Sequence, residues 1–155
     1  MQLKTHIAIG FAIAFYFLPH MRDKPVFFPA VLVASVLPNI FALIRTRGKD
    51  RLGGGKNSRL FIKDETSRGI IHTFTLCIAI SVALSFFYPV LALPFFLGYS
   101  FHLYSDAFTP EGITPFWPYK KKSTGHVKSG GAVDNSIFYI MIVFAVALLI
   151  NFFIS

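Results

Sequence analysis

The chain is poor in charge. Lysine, arginine, aspartate and glutamate supply 14% of its 155 residues, while apolar residues supply 54%; soluble domains carry roughly 25% charged residues. That imbalance excludes an ordinary water-soluble domain and points to a membrane protein. There is one cysteine, Cys77, so no disulfide can close within the chain. Its place inside an apolar run marks it as a small core residue. Repeats and low-complexity tails are missing as well. The opening Met1-Gln2-Leu3-Lys4 has the basic character of a leader, but Leu18-Pro19-His20-Met21-Arg22 offers no small-x-small cleavage site. The first apolar run is therefore expected to stay as a helix.

Several motifs are also lacking. Gly54-Gly55-Lys56-Asn57 has a phosphate loop's flavour, but Asp50 stands where its first glycine belongs and Asn57 where Ser or Thr belongs. No strand precedes it, and no serine nucleophile elbow occurs elsewhere. The basic segment has no interleaved aromatics on which bases could stack, which sets nucleic acid aside as a partner.

What the chain does have is phenylalanine, 19 copies of it, and five apolar runs. These predict helices at about 3–19, 26–44, 69–88, 90–108 and 137–154, in a single membrane-embedded domain covering 1–155. The fourth run is about 28 Å long at 1.5 Å per residue, close to the thickness of a hydrocarbon core. Gly10 and Ala14 give the first helix a small-residue seam for close packing. Pro29 and Pro38 interrupt the second, and a kink or break is expected near Pro38-Asn39. The segment 45–68, basic and centred on Gly53-Gly54-Gly55, reads as an exposed loop. In the connection 109–136, Trp117 and Tyr119 read as interface anchors beside Lys120-Lys121-Lys122.

The basic residues orient the helices. Of fifteen lysines and arginines, thirteen lie at Lys4, in 45–68 or in 109–136, and Arg22 and Lys24 lie on the other side. The positive-inside rule then predicts an all-α, polytopic membrane bundle of five transmembrane helices, amino terminus in the cytoplasm and carboxyl terminus outside. On that topology His6, Asn39, His72, His102, Asp106 and Asp134, scattered along the chain, all fall at the cytoplasmic end of a helix.

His102 and Asp106 are four residues apart, on one helical face. An ionisable pair at membrane depth is costly enough to be a functional hypothesis by default. Inward-facing His and carboxylate groups from several helices are how bundles build metal sites; His6 and His72 could complete a shell around an ion held by His102 and Asp106. Imidazole and carboxylate without thiolate favour zinc, manganese, iron or magnesium. His20 and His126 read as loop residues, and Asp134 also suits the start of a helix, where the dipole favours an acid.

The spacing resembles that of the YdjM-like family of bacterial inner-membrane proteins, often described as metal-dependent hydrolases. Thr5-His6 with Gly10 looks like the family's Thr-His-x-x-x-Gly. Leu37-Pro38-Asn39 is similar to Leu-Pro-Asp-x-Asp, and Arg68-Gly69-Ile70-Ile71-His72-Thr73 to His-Arg-Gly-x-Thr-His-Ser. His102-Leu103-x-x-Asp106-x-x-Thr109-x-x-Gly112 matches without a gap, and Gly130-Gly131 before Asp134 looks like the segment that usually offers a Glu. Asn39, Phe41 and Ser67 replace two carboxylates and one imidazole of that pattern, so at most one well-liganded ion is expected. The resemblance implies a multi-pass protein of the bacterial inner membrane that hydrolyses an ester or phosphoester; the location of the polar residues at the cytoplasmic leaflet suggests a lipid as substrate. His6, His102 and Asp106 would hold a divalent ion, zinc or manganese first. His72 would be a fourth ligand or the general acid, Asp134 would orient water, and Asn39 would add a neutral contact. The alternative is a catalytically degenerate membrane subunit whose basic loop 45–68 docks a protein partner or anionic lipid. A small transporter with a broken second helix is the third reading.

Overall fold

Long apolar runs away from water can satisfy their backbone groups within one segment only as helices. The computed structural model describes residues 1–51, 70–119 and 121–154. It contains α1 (Leu3–Phe17), α2 (Lys24–Arg51), α3 (Phe74–Phe87), α4 (Pro89–Ala107) and α5 (Ala132–Ile154), with short 3-10 turns at Leu18–His20 and Ile70–His72. No β-strand occurs among the described residues; Ile113 and Ser123 form an isolated antiparallel bridge. Most of the basic loop 45–68, with Gly53-Gly54-Gly55 and Ser67, lies outside the described residues.

Helix boundaries differ from the apolar runs where polar caps intervene. The third helix begins at Phe74 rather than near 69, because the Thr73 hydroxyl accepts the Leu76 N–H at 3.2 Å and caps it. The fifth begins at Ala132 rather than 137, with Asp134 in its first turn accepting the Gly130 N–H at 2.7 Å. The first gives way after Phe17 to the 3-10 turn containing Pro19. The expected break near Pro38 does not occur. α2 runs unbroken through Pro29 and Pro38, since each proline forfeits one helical N–H and packing on both sides holds the rest.

α1, α2 and α4 form the centre of the bundle. α3 lies against α4 and α5 against α1. Ile13, Ala14, Leu18, Phe27, Val31 and Leu97 make one core between the central three helices. Cys77, Tyr99, Leu103 and Ile113 make a second, between α3, α4 and the segment after α4. The central crossing is tight. A Cβ on Gly98 would fall against the Val31 carbonyl, 2.8 Å from Ala34 Cβ and 2.9 Å from Ser35 N; one on Gly10 would fall 2.6 Å from Ser35 Oγ. Glycine is what lets α1 and α4 both reach the same turn of α2.

The outer helices bury little. α5 buries Asp134 and Ala145, and α3 buries Cys77, leaving large side chains such as Val82, Phe86, Tyr139 and Val143 exposed. So much apolar surface suits lipid rather than water. Among the described residues, two helices are long and apolar enough to cross a membrane: α2 over Lys24–Phe41, and α5. α1 and α3 have 15 and 14 residues, about 22 and 21 Å against a core of about 30 Å.

Gly98→Leu is expected to lower stability by about 1–3 kcal/mol or more, the usual cost of overpacking. Thermal unfolding in detergent should show an earlier transition, whereas Val82→Leu on the exposed face of α3 should leave it unchanged.

Candidate metal centre

Four polar side chains meet at one end of the bundle, carried there by three local elements. His6 comes from the first turns of α1, His102 and Asp106 from the last turns of α4, and His72 from the 3-10 turn before α3. All are at most 2% exposed. His6 Nε2 is 3.2 Å from Asp106 Oδ1, His102 Nε2 is 3.4 Å from Oδ2, and His72 Nε2 is 3.8 Å from Oδ2. The His6 and His102 rings stack with centroids 4.0 Å apart, presenting the same edge to the carboxylate. One ligand atom each from His6, His102 and Asp106 lies within 4.8 Å of the others.

Hydrogen bonds on the far side of each ring set what the near side offers. His102 Nδ1 is 2.7 Å from the Ser35 carbonyl. A carbonyl only accepts, so Nδ1 carries the proton and donates it. Ser105 Oγ donates to the Phe101 carbonyl at 2.6 Å, and its contact with His6 Nδ1 is 3.4 Å. With the hydroxyl proton committed, His6 Nδ1 is the donor there. Both Nε2 atoms then present lone pairs to a carboxylate, which is itself an acceptor. Among the described residues neither Nε2 has a hydrogen-bond partner.

The two imidazole Nε2 atoms and the carboxylate converge on one space, and neither Nε2 meets a donor among the described residues, an arrangement that suits a cation. The Met1 ammonium supplies one to Asp106 Oδ1 at 2.8 Å, but it satisfies neither imidazole. A tetrahedral ion with bonds of about 2.0–2.1 Å holds its ligand atoms about 3.4 Å apart, close to the two shorter separations. Protonated outer nitrogens and inward lone pairs are also how histidines are oriented around metals. The residues present fit a small divalent ion.

Several residues outside the expected ligand set build this cluster indirectly. Tyr99 OH donates to the Ile71 carbonyl at 2.5 Å, pinning the turn that bears His72 to α4. Ser35 and Ser105 hold the two ring tautomers. Ser105 is three residues from His102, and helical spacing could have found it; Ser35 contributes a backbone carbonyl, which no side-chain pattern reveals. Thr109 and Gly112, the tail of the gap-free motif, close the end of α4. Thr109 Oγ1 donates to the Asp106 carbonyl at 2.7 Å, and the Thr109 carbonyl accepts Gly112 N and Gly125 N, each at 3.0 Å. Gly112 has φ +58°, and any Cβ there would meet the Ser123 carbonyl.

Asp134, expected to orient water, joins two helix starts. Fully buried, its Oδ1 accepts Thr5 Oγ1 at 2.8 Å, and its Oδ2 accepts Gln2 N at 3.1 Å and Gly130 N at 2.7 Å. It ties the start of α5 to the start of α1, one residue from His6. Asn39 is half-buried one turn beyond Ser35, and among the described residues no hydrogen bond joins it to His6, His102 or Asp106. Phe41 is 46% exposed and faces away from the bundle.

Asp134→Ala strands a buried hydroxyl and two N–H groups, and unfolding should become easier by about 2–4 kcal/mol. Denaturation in detergent checks this. Asp134→Asn, which keeps acceptor capacity on one oxygen only, should fall between.

Neither a curated protein nor a solved structure matches this chain. One family model does, that of the YdjM inner membrane protein, over residues 1–154. With all five helices and the whole His–Asp cluster inside that match, the chain belongs to the YdjM inner membrane protein family.

Proposed function

We propose that the protein is a membrane-embedded, metal-dependent hydrolase acting on an ester or phosphoester at the cytoplasmic leaflet. The observation that carries this reading is the pair of buried Nε2 atoms on His6 and His102, without a hydrogen-bond partner among the described residues and aimed at the buried Asp106 carboxylate. His6, His102 and Asp106 would hold the ion, zinc or manganese by donor type. A divalent ion in such a site supplies Lewis acidity toward an ester or phosphoester oxygen and makes water a better nucleophile.

The chain's own groups do the rest. Ser35 and Ser105 fix the ring tautomers. Tyr99 holds the turn of His72, whose Nε2 lies on the Asp106 side of the cluster. His72 is the group suited to deliver a proton to the leaving oxygen, or to serve as a fourth ligand. Asp134 acts as a positioning residue through Thr5. Burial of all four side chains excludes bulk water from competing reactions.

Five membrane crossings with the amino terminus in the cytoplasm remain the topology that the basic residues support, and this would make the protein multi-pass. An alkaline phosphatase fused after Ser155 should then be active, and one fused after Arg51 inactive.

A second reading is favoured by Phe41, 46% exposed where the resemblance implies a carboxylate: a catalytically degenerate subunit that keeps the fold but lacks turnover. Elemental analysis of detergent-purified protein separates the possibilities. Wild type should carry about one divalent ion per chain, lost in His102→Ala and Asp106→Asn; metal-free wild type prepared without chelators overturns the hydrolase. His72→Gln should keep the ion and lower turnover of a nitrophenyl ester or phosphodiester by about 10²–10⁴-fold if His72 is the acid. An ion bound stoichiometrically with no turnover of either probe supports the second reading.

A further inference from the structure

Beside the metal centre a groove of about 650 Å³ runs between α1, α4 and α5. It exists because α5 packs on α1 and leaves the α4 side of that pair uncovered. Ile9, Ile13, Phe101, Tyr104, Met141 and Phe144 form its walls. Ser105, the polar residue at its rim, turns its hydroxyl back onto the Phe101 carbonyl. The groove therefore offers an occupant almost nothing to hydrogen-bond.

Its two ends differ. One is at Met1 and Ser105, whose atoms touch the cluster directly: Met1 N on Asp106 Oδ1 at 2.8 Å, Ser105 Oγ near His6 Nδ1 at 3.4 Å. The other is at Tyr16 and Phe17, the far end of α1. From Ile9 to Phe17 the helix advances about 12 Å. One wall is α5, a helix long and apolar enough to span a membrane, with nearly all of its surface outward. The slot is thus apolar, runs along the helices beside an outward apolar face of α5, and ends at Met1 and Ser105, the two residues that contact the His–Asp cluster.

A polar end beside the cluster and an apolar tail along the helix axes describe an amphiphile lying as lipids lie. We infer that the groove seats one acyl chain of a membrane phospholipid, with the head group brought to His6, His102 and Asp106. That the lipid is also the substrate rests on the hydrolytic reading of the cluster; the seat itself rests on the groove. Volumes of this order are typical of sites that enclose small ligands. An acyl chain already in the bilayer gives up no hydrocarbon contact by entering, so lateral entry costs little and selectivity falls to the head group.

The test uses the full chain in lipid nanodiscs containing a trace of phosphatidylglycerol with a diazirine on one acyl chain. After illumination, peptide mass spectrometry should find label concentrated on Ile9, Ile13, Met141 and Phe144. Met141→Trp, which fills the groove from the outer helix, should reduce that label to the level of outward-facing Val82 and Phe86. Ile137→Trp repeats the test should the first variant fold poorly, and retained metal content certifies either one. His102→Ala should lose the ion and keep the acyl label. Label spread evenly over outward-facing residues, Val82 and Phe86 included, overturns the inference, as does chain-to-chain crosslinking through the groove. A labelled groove in wild-type protein that binds no ion sustains the acyl seat while overturning the hydrolase.

Discussion

A carboxylate buried among imidazoles governs this structure. Asp106 is 2% exposed, and a lone carboxylate at such depth costs far more than a few hydrogen bonds return. Its surroundings are arranged to meet it with positive charge rather than with neutral donors. The Met1 ammonium reaches one oxygen, while His6 and His102 turn lone pairs toward the same space.

That arrangement depends on how closely three helices approach. Ser35 is where they meet: Gly10 of α1 and Gly98 of α4 both press on its turn, and its carbonyl takes the His102 Nδ1 proton. A wider crossing would move the carbonyl away and free the ring to flip. The outer helices serve the same centre from a distance. α5 sends Asp134 to hold Thr5, and α3 is preceded by the turn that carries His72. Packing and chemistry are therefore one problem here, since both close-approach glycines press on the turn of α2 whose Ser35 carbonyl sets the His102 tautomer.

The outer helices bury few of their own side chains, because their other faces suit lipid. This leaves a groove open between α1, α4 and α5. The family match over residues 1–154 agrees with a bundle whose surface is built for a membrane.

Much was legible beforehand. The apolar runs determined that the chain is helical, and the four-residue spacing of His102 and Asp106 put both on one face whatever surrounds them. Those are local properties, carried by helical periodicity and by the cost of exposing backbone to lipid. Helix starts were less legible, because they depend on Thr73 and Asp134 acting as caps inside segments that look merely polar. Continuity of α2 through Pro38 was hidden for the same reason: a lost N–H is visible in sequence, and the neighbours that compensate for it are not. The partnership of His6 with Asp106, 100 residues apart, and of Asp134 with Thr5, 129 apart, was decided by the tertiary structure alone. So was the donor state of each histidine, which depends on a backbone carbonyl and a hydroxyl from elsewhere in the bundle. Sequence determined which residues could bind an ion; only the crossing of α1, α2 and α4 decided that three of them face one point with their lone pairs inward.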